Sequence, residues 1–172
     1  FTAETIEEIP NEFKKVQVVI LLHTFDHLTD PVPFLETIKN ILDPDRGVLL
    51  LEVHDFKDIF KKRESALFGH EHATYLHAGS INRFLTHQGF KLLDYNFIDK
   101  QLMRGSSMLI AAGLEGCTLS QMSPLQLGTF ESLDKLSTLR EFNALVEKAY
   151  NNLRSYIISE KNKSRKIAGY GG

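Results

Sequence analysis

The sequence predicts an α/β fold built around a parallel β-sheet. Two apolar runs, residues 16–22 and residues 48–53, have the length of strands and lack the alternation typical of a strand with one solvated face. A segment with helical periodicity separates them, and two more strand-like segments begin near residues 90 and 106. Runs of this composition are typical of parallel strands that helices cover. We therefore expect the first run to be buried on both faces and the second to be its buried neighbour.

The composition indicates a globular protein that acts on a small molecule. The 172 residues carry a formal net charge of -2 and a single cysteine, Cys117. This balance provides no global field that would attract nucleic acid or an anionic membrane, and no apolar run approaches the roughly 18 residues of a membrane span. One cysteine excludes an internal disulfide and a cysteine-rich zinc site within these residues. We expect a cytoplasmic location, a small-molecule substrate, and neither a nucleic-acid partner nor a membrane partner.

The first half of the chain predicts a helix, a strand, a second helix and a second strand. Residues 2–15 predict a short surface helix, which Pro10 breaks or ends. Asp30 followed by Pro31 is a strong helix start, because aspartate caps free amides and proline suits the first turn. One face of that helix is apolar and consists of Phe34, Leu35, Ile38, Ile41 and Leu42. Residues 43–47 predict a turn, so the whole segment predicts a right-handed parallel crossover.

The second half begins with an irregular segment, a helix and a hairpin. Periodicity weakens from residue 54 to residue 75, where we expect a loop or an irregular helix over the sheet. Ser80 is a candidate cap for a helix that Gly89 ends. Residues 90–98 and 106–112 predict two antiparallel strands, which a turn around Arg104 and Gly105 joins.

Residues 114–124 have a mixed composition that includes glycine, serine and proline, and this stretch predicts a domain boundary. A long helical tract follows, with apolar residues every three or four positions from Phe130 to Ile157. Residues 167–171 predict the opening of a strand and a glycine turn. We divide the chain into residues 1–115, which carry the predicted sheet, and residues 116–172, a helical linker followed by a first strand and glycine turn. The chain begins at Phe1 without an initiator Met and stops within that turn, so we expect a fragment interrupted at both ends.

The polar loop after the first strand is one candidate site. His23, Asp26 and His27 follow the carboxyl end of this strand, where ligands collect in parallel sheets. The alternative is that they are ordinary loop residues on the rim of the sheet.

The densest polar cluster is a second candidate site, and it consists of His70, Glu71, His72, Tyr75 and His77. A carboxylate beside a histidine can hold the imidazole in one tautomer and raise its basicity, as a proton-abstracting base near neutral pH requires. The first alternative is three surface residues on a loop. The second is a metal site in which His70 and His72 are joined by a third ligand from His27, His54 or His77. The residues alone leave all three interpretations open.

Two motifs resemble those of class I S-adenosylmethionine-dependent methyltransferases. Residues 18–31, VVILLHTFDHLTDP, resemble the fourth strand of that superfamily and its "EHL-DP" loop. Residues 42–52, LDPDRGVLLLE, resemble its "LKPGG" turn and fifth strand. The resemblance implies the second half of a Rossmann-like methyltransferase sheet, which ends in an antiparallel hairpin. It also implies S-adenosylmethionine as the cofactor.

Later motifs are similar to those of sugar C-methyltransferases that carry an extra carboxyl-terminal lobe. They are FGHEH at residues 68–72, Tyr75, the Gly89-Phe90 pair, RGSSM at residues 104–108 and IAGYG at residues 167–171. In that family a second Rossmann-like lobe opens on such a glycine turn and helps to hold a nucleotide-linked sugar. The resemblance therefore implies a nucleotide sugar as the substrate. Zinc is expected only in an amino-terminal module upstream of Phe1.

The resemblance also implies roles for individual residues. His72 would remove a proton from a carbon beside a sugar ketone, Glu71 would orient it or contact the sugar, and His27 would stabilise the oxyanion or share the base role. No catalytic metal is needed. For these roles the rings of His27 and His72 must converge over one edge of the sheet. Contact with the cofactor is expected for Leu22 and His23, and contact with the substrate for Arg104 and Ser107.

Some residues depart from the family pattern. Gly69 stands where the family usually has tyrosine, and Gln17 stands where the fourth strand usually begins with aspartate. In the family's His-Gly-Gly-Ser turn, Arg104 replaces histidine and Ser106 replaces the second glycine. Two alternatives therefore stay open: methyl transfer to oxygen or nitrogen of another small molecule, and a non-catalytic domain that keeps the fold. The main cofactor loop is expected upstream of Phe1, so this chain alone should be inactive.

Overall fold

The computed structural model describes residues 14–68, 72–98, 106–122 and 135–169. The chain divides into two compact units, Phe1–Thr129 and Phe130–Gly172. Residues 116–122 remain attached to the first unit, since the Thr118 amide donates to the Asp45 carbonyl at 2.9 Å and the Met122 amide donates to the Leu93 carbonyl at 3.2 Å. The domain boundary that the sequence analysis places after residue 115 stays a prediction.

The described residues of the first unit form a four-stranded mixed sheet. Its strands in chain order are β1 (Val18–Leu22), β2 (Val48–His54), β3 (Phe90–Phe97) and β4 (Ser107–Leu114). Their order in the sheet is β1-β2-β4-β3, in which β1 and β2 are parallel and the other two pairs are antiparallel. These pairings confirm the predicted parallel pair, the predicted hairpin and the α/β fold class. The predicted turn around Arg104 and Gly105 lies outside the described residues.

The connection between β1 and β2 begins and ends as the sequence predicts. Helix α1 (Pro31–Ile41) is capped by Asp30, whose carboxylate accepts a hydrogen bond from the Val32 amide at 3.1 Å. The turn after the helix is closed by a hydrogen bond of 2.9 Å from the Gly47 amide to the Asp43 carbonyl. Both ends of the connection are therefore set by local hydrogen bonds of the residues that the sequence analysis named.

Two helices follow β2, and the second has an unexpected cap. Helix α2 (Phe56–Lys62) occupies part of the segment expected to be irregular. Helix α3 (Ala78–His87) is capped by His77, whose Nδ1 accepts hydrogen bonds from the amides at positions 79 and 80. The His77 amide in turn donates to Ser80 Oγ at 3.0 Å. Ser80 as the cap was therefore wrong, because its hydroxyl serves this reciprocal bond inside the first turn. Gly89, with φ of 77°, follows the helix end as predicted.

The core of the first unit lies on one face of the sheet, under α1 and α3. Alternate residues of β2 and β4 meet the apolar faces of the two helices there. The central members are Leu21, Leu35, Ile38, Leu49, Leu51, Val53, Ile81, Leu85, Met108 and Ile110. This packing positions the carboxyl ends of β1 and β2 against the loops that follow them.

The opposite face of β1 is exposed, so the prediction of burial on both faces was wrong. Val18, Ile20 and Leu22 are between 51% and 59% exposed, whereas Leu21 on the other face is buried. On β2, Leu50 between the buried positions is half-buried. The core that α1 and α3 form with the sheet covers one face of it, so an unbroken apolar run does not imply two covered faces here.

The described part of the second unit is a long helix, α4 (Leu136–Asn162). It confirms the helical tract over these positions, while residues 123–134 lie outside the described residues. Residues 165–169 form no strand in the described part of the chain. The helix predicted over residues 2–15 lies outside the described residues except at positions 14 and 15, and the strand and glycine turn predicted over residues 167–171 are described only as far as position 169. Where the chain is described, no helix has both the length and the apolar character that crossing a membrane requires.

Candidate active site

The candidate active site lies at the carboxyl ends of the parallel strands β1 and β2. His23 directly follows β1 and has a positive φ of 48°, which is uncommon for a residue with a side chain. A short 3-10 helix, Phe25–His27, comes next, and buried Phe25 anchors it in the core. This turn presents Asp26 and His27 at the edge of the sheet where ligands collect in such folds.

Asp26 is buried and paired with His54. Only 2% of Asp26 is exposed, and its Oδ2 lies 2.7 Å from Nδ1 of His54, the last residue of β2. Burial raises the pKa of Asp26, but the hydrogen bond from the His54 side chain, the attraction between the two side chains and backbone hydrogen bonds of Asp26 and His54 together outweigh it, and the pKa is lowered. Because an ionised carboxylate can only accept a hydrogen bond, Nδ1 of His54 carries a hydrogen, and in the neutral ring the lone pair is on Nε2.

The backbone of Asp26 brings His72 to the same place. The Asp26 carbonyl accepts hydrogen bonds from the amides of Ala73 at 3.0 Å and Thr74 at 3.1 Å. The ring centroids of His27 and His72 are consequently 4.7 Å apart. The structure thus brings together the two imidazoles that the sequence analysis required to converge. Their catalytic roles stay predictions.

Four imidazoles form a histidine cluster at this edge, which consists of His23, His27, His54 and His72. His54 lies between two of them, with its ring centroid 4.9 Å from that of His23 and 4.9 Å from that of His72. His23 Nε2 lies 2.9 Å from Oε1 of Glu52, a β2 residue. Two imidazoles of the histidine cluster are therefore held by carboxylates, one by Asp26 and one by Glu52.

Three residues of this region have possible metal-ligand atoms that lie close to one another. One ligand atom from each of Asp26, His54 and His72 lies within 4.8 Å of the other two. The metal interpretation named two of these residues, His54 and His72, and did not name Asp26; His70, its other ligand, lies outside the described residues. His77, another candidate for the third ligand, instead uses its Nδ1 to cap α3.

The other predicted site residues lie at the border of the histidine cluster or beyond it. Leu22 is 55% exposed at the end of β1, next to half-buried His23. Ser107 is buried in β4 opposite His54 in the strand register, and it lines a cavity of about 280 Å³. Its Oγ has no hydrogen-bond partner among the described residues. Glu71 and Arg104 lie outside the described residues.

Sequence reasoning missed the pairing of Asp26 with His54. It named Asp26 as a loop residue and His54 only as an alternative metal ligand. The sequence held a signal that could have predicted this pairing. His54 ends the second apolar run, and His23 and the loop with Asp26 follow the first. Since carboxyl ends of parallel strands meet at one edge, residues at these two positions are expected to be neighbours.

Comparison with protein families decides what kind of domain holds this site. The family model described as "Methyltransferase domain" matches residues 2–95, more than half of the chain. The chain belongs to this methyltransferase family. The matched part of the methyltransferase domain includes β1, β2 and the whole histidine cluster. The match confirms the resemblance to methyltransferases that the strand and loop motifs indicated.

Solved methyltransferases are similar to this methyltransferase domain at low sequence identity. Magnesium protoporphyrin IX methyltransferase from Synechocystis PCC 6803, solved with bound SAH, is 16% identical with a TM-score of 0.42, and the alignment covers 62% of this chain and 47% of that chain. A SAM-dependent methyltransferase from Thermotoga maritima, described as a possible histamine N-methyltransferase, is 15% identical with a TM-score of 0.44, covering 64% of this chain and 60% of that one. The chain spans about half to three fifths of their length. No curated protein sequence matches it.

Proposed function

We propose that the complete protein is an S-adenosylmethionine-dependent methyltransferase that methylates a carbon atom of a nucleotide-linked keto-deoxysugar. The observation that supports this proposal is the convergence of His27 and His72 beside the carboxyl ends of β1 and β2, within a methyltransferase domain. A carbon beside a ketone carries a proton that must leave before the carbon can attack a methyl group. Carbon methylation therefore needs a positioned base, and imidazole is suited to that task near neutral pH.

His72 is the proposed base, and His27 is its proposed partner. The neutral His72 ring accepts the proton from the substrate carbon, and the electrons of the broken C–H bond remain on the substrate as an enolate. His27 is exposed and its ring lies 4.7 Å from that of His72, so it can donate a hydrogen bond to the ketone oxygen as that oxygen becomes negative. Glu71, which precedes His72 in the chain, is proposed to orient the base or to contact the sugar.

The residues at the end of β1 fit one wall of a cofactor site. S-adenosylmethionine supplies, when bound, a methyl group made electrophilic by a positively charged sulfur. The exposed Leu22 side chain offers apolar surface, and Nδ1 of His23 is a buried polar atom without a partner among the described residues. We propose that these two residues contact the cofactor.

Substrate contact is proposed for Ser107 and Arg104. The cavity that Ser107 lines is about 280 Å³, at the lower end of the volumes typical of small-molecule sites. Lys57 and Lys61 also line it, together with Asp55 and Asp58. A cavity of this size suits one part of a nucleotide sugar rather than the whole molecule.

The test uses the complete protein, cofactor labelled in its methyl group, and a panel of nucleotide-linked keto-deoxysugars. We expect label on a carbon atom of one sugar. We also expect the protein to catalyse exchange of deuterium from D₂O into the same carbon when cofactor is omitted, since proton removal precedes methyl transfer. His72→Gln should abolish the exchange, while His87→Gln, at an exposed position at the end of α3, should leave it unchanged. Label on oxygen or nitrogen would overturn carbon methylation, and no transfer to any acceptor would indicate a binding domain.

A further inference from the structure

We propose that Asp26, His54 and His72 form a binding site for one divalent transition-metal ion of the zinc class. The three residues come from different parts of the first unit: the loop after β1, the end of β2 and the segment that the Asp26 carbonyl holds. The proposal concerns metal binding, and the binding itself does not depend on the proposed methyl transfer.

The separations of the ligand atoms suit a small ion. One ligand atom from each residue lies within 4.8 Å of the other two. A tetrahedral zinc ion, with bonds of about 2.0–2.1 Å to nitrogen and oxygen, holds its ligand atoms roughly 3.3–3.5 Å apart. The ligand atoms are therefore at most about 1.3–1.5 Å farther apart than this geometry requires (4.8 Å against 3.3–3.5 Å), and binding would draw them together.

Two of the three side chains have buried atoms that lack a hydrogen-bond partner. These atoms are Oδ1 of Asp26 and Nδ1 of His72, judged over the described residues. Asp26 is only 2% exposed, so water cannot readily satisfy its carboxylate. Buried polar atoms are normally paired, and an unpaired one in a native protein often marks a bound ion or water. A metal ion that accepts electron pairs from both atoms would satisfy them together.

A small cavity lies at the same place. Asp26, His54 and His72 line it together with apolar residues such as Phe56 and Ile59, and its volume is about 10 Å³. A space of this volume is close to the minimum for one water molecule. It therefore suits a single ion, and it is far too small for an organic ligand.

The donor set favours the zinc class over magnesium or calcium. Two imidazoles and one carboxylate are typical ligands of zinc and related transition metals, whereas magnesium and calcium prefer oxygen ligands. Asp26 can bind His54 and a metal ion at once, because Oδ2 contacts His54 and Oδ1 has no hydrogen-bond partner among the described residues. Three protein ligands would leave a fourth position for water or a small anion.

The metal would compete with the proposed chemistry, and this consequence rests on the proposed function. A metal ion and a proton need the same lone pairs of the imidazole. If His72 binds the ion, it cannot accept the substrate proton. Zinc should therefore inhibit methyl transfer, and a chelator should restore or preserve it.

Binding is tested first, with the full chain free of any affinity tag and stripped of metal by a chelator. Titration with Co²⁺ should produce visible absorption bands of a tetrahedral site, and calorimetry with Zn²⁺ should show one ion per chain. His54→Gln and His72→Gln should each weaken binding at least about 100-fold, more than the loss typical of residues that only support ligands. His87→Gln is the matched control and should bind as the unchanged chain does.

A second measurement covers the case in which a variant fails to fold. In the unchanged chain labelled with ¹⁵N, saturating Zn²⁺ should shift the imidazole nitrogen resonances of His54 and His72 and leave those of His87 in place. Absence of one-to-one binding, or equal effects on all histidines, would overturn the site. Methyl transfer is measured separately, with and without saturating zinc. If zinc binds and methyl transfer is not slowed, the metal site is supported and the role of His72 as the base is contradicted.

Discussion

Nδ1 of His54 lies 2.7 Å from Oδ2 of Asp26, and this contact joins the loop after β1 to the end of β2. The carboxylate is buried, and a buried charge is tolerated only where it is paired. The backbone of the same aspartate accepts two further hydrogen bonds from the segment that carries His72. Asp26 therefore determines how the histidine cluster is assembled, although its own side chain is almost out of reach of solvent.

Removing the Asp26 side chain should destabilise the protein. Asp26→Ala leaves Nδ1 of His54 without its partner, which is expected to lower the free energy of unfolding by about 1–3 kcal/mol. Urea denaturation followed by circular dichroism measures this change. In the double variant Asp26→Ala with His54→Ala, the loss should be smaller than the sum of the two single losses, because the pair is then removed as a unit. Losses that simply add would show that the two side chains do not interact.

Changes at the proposed base should affect chemistry and spare cofactor binding. In the complete protein, His72→Ala and, separately, Glu71→Ala should slow the chemical step at least about 100-fold, while cofactor affinity stays nearly unchanged. Single-turnover methyl transfer and equilibrium dialysis with labelled cofactor measure the two quantities. His87→Ala serves as the control for loss of an imidazole. An equal loss of cofactor binding would mean that the region around His72 is structural.

Asparagine should be able to replace His77 as the cap of α3, because it also has a side-chain acceptor. His77→Ala removes the acceptor for the amides of Gly79 and Ser80, so the free energy of unfolding should fall by about 0.5–2 kcal/mol. His77→Asn keeps a side-chain acceptor and should recover much of that loss. The denaturation midpoints of the three proteins give the comparison. If asparagine proves no better than alanine, the stabilising effect of His77 comes from packing and not from the cap.

Gly47 should resist substitution because of the turn before β2. A Cβ atom at this position would overlap the Asp43 carbonyl oxygen and the Leu42 side chain, and it would lie 2.8 Å from the Asp43 nitrogen. Gly47→Ala should therefore lower stability by about 1–3 kcal/mol, the range typical of overpacking. Gly116→Ala is the control, since a Cβ there meets nothing within 4 Å, and its effect should stay within about 0.5 kcal/mol. Thermal denaturation of both variants measures the difference, and equal effects would contradict the steric argument.

Local features of the first unit could be predicted because neighbouring residues define them. Asp30 and Pro31 start α1 through a side-chain hydrogen bond two residues away and a preset backbone angle. Gly89 follows the end of α3 because its backbone adopts a positive φ at low cost. The cap of α3 was missed, because Ser80 also has a side chain able to cap, and only the structure shows that His77 Nδ1 accepts from the first amides while Ser80 Oγ accepts from the His77 amide.

The candidate site could be predicted only in part. The motifs located His27 and His72 as a pair, and the structure places their rings close together. The role of Asp26 was missed because its partner, His54, is 28 residues away in the chain. Glu71 and Arg104 remain predictions, since they lie outside the described residues.

The sequence by itself determined the fold class, the order of the elements and the methyltransferase character of the domain. These depend on apolar periodicity, on capping residues and on short motifs, all of which act within a few residues along the chain. Only the tertiary structure decided that one face of β1 is exposed, that Asp26 meets His54, and that four imidazoles form one cluster. The physical reason is that such contacts depend on strand register and on the path of each loop. Both are set by packing between distant residues.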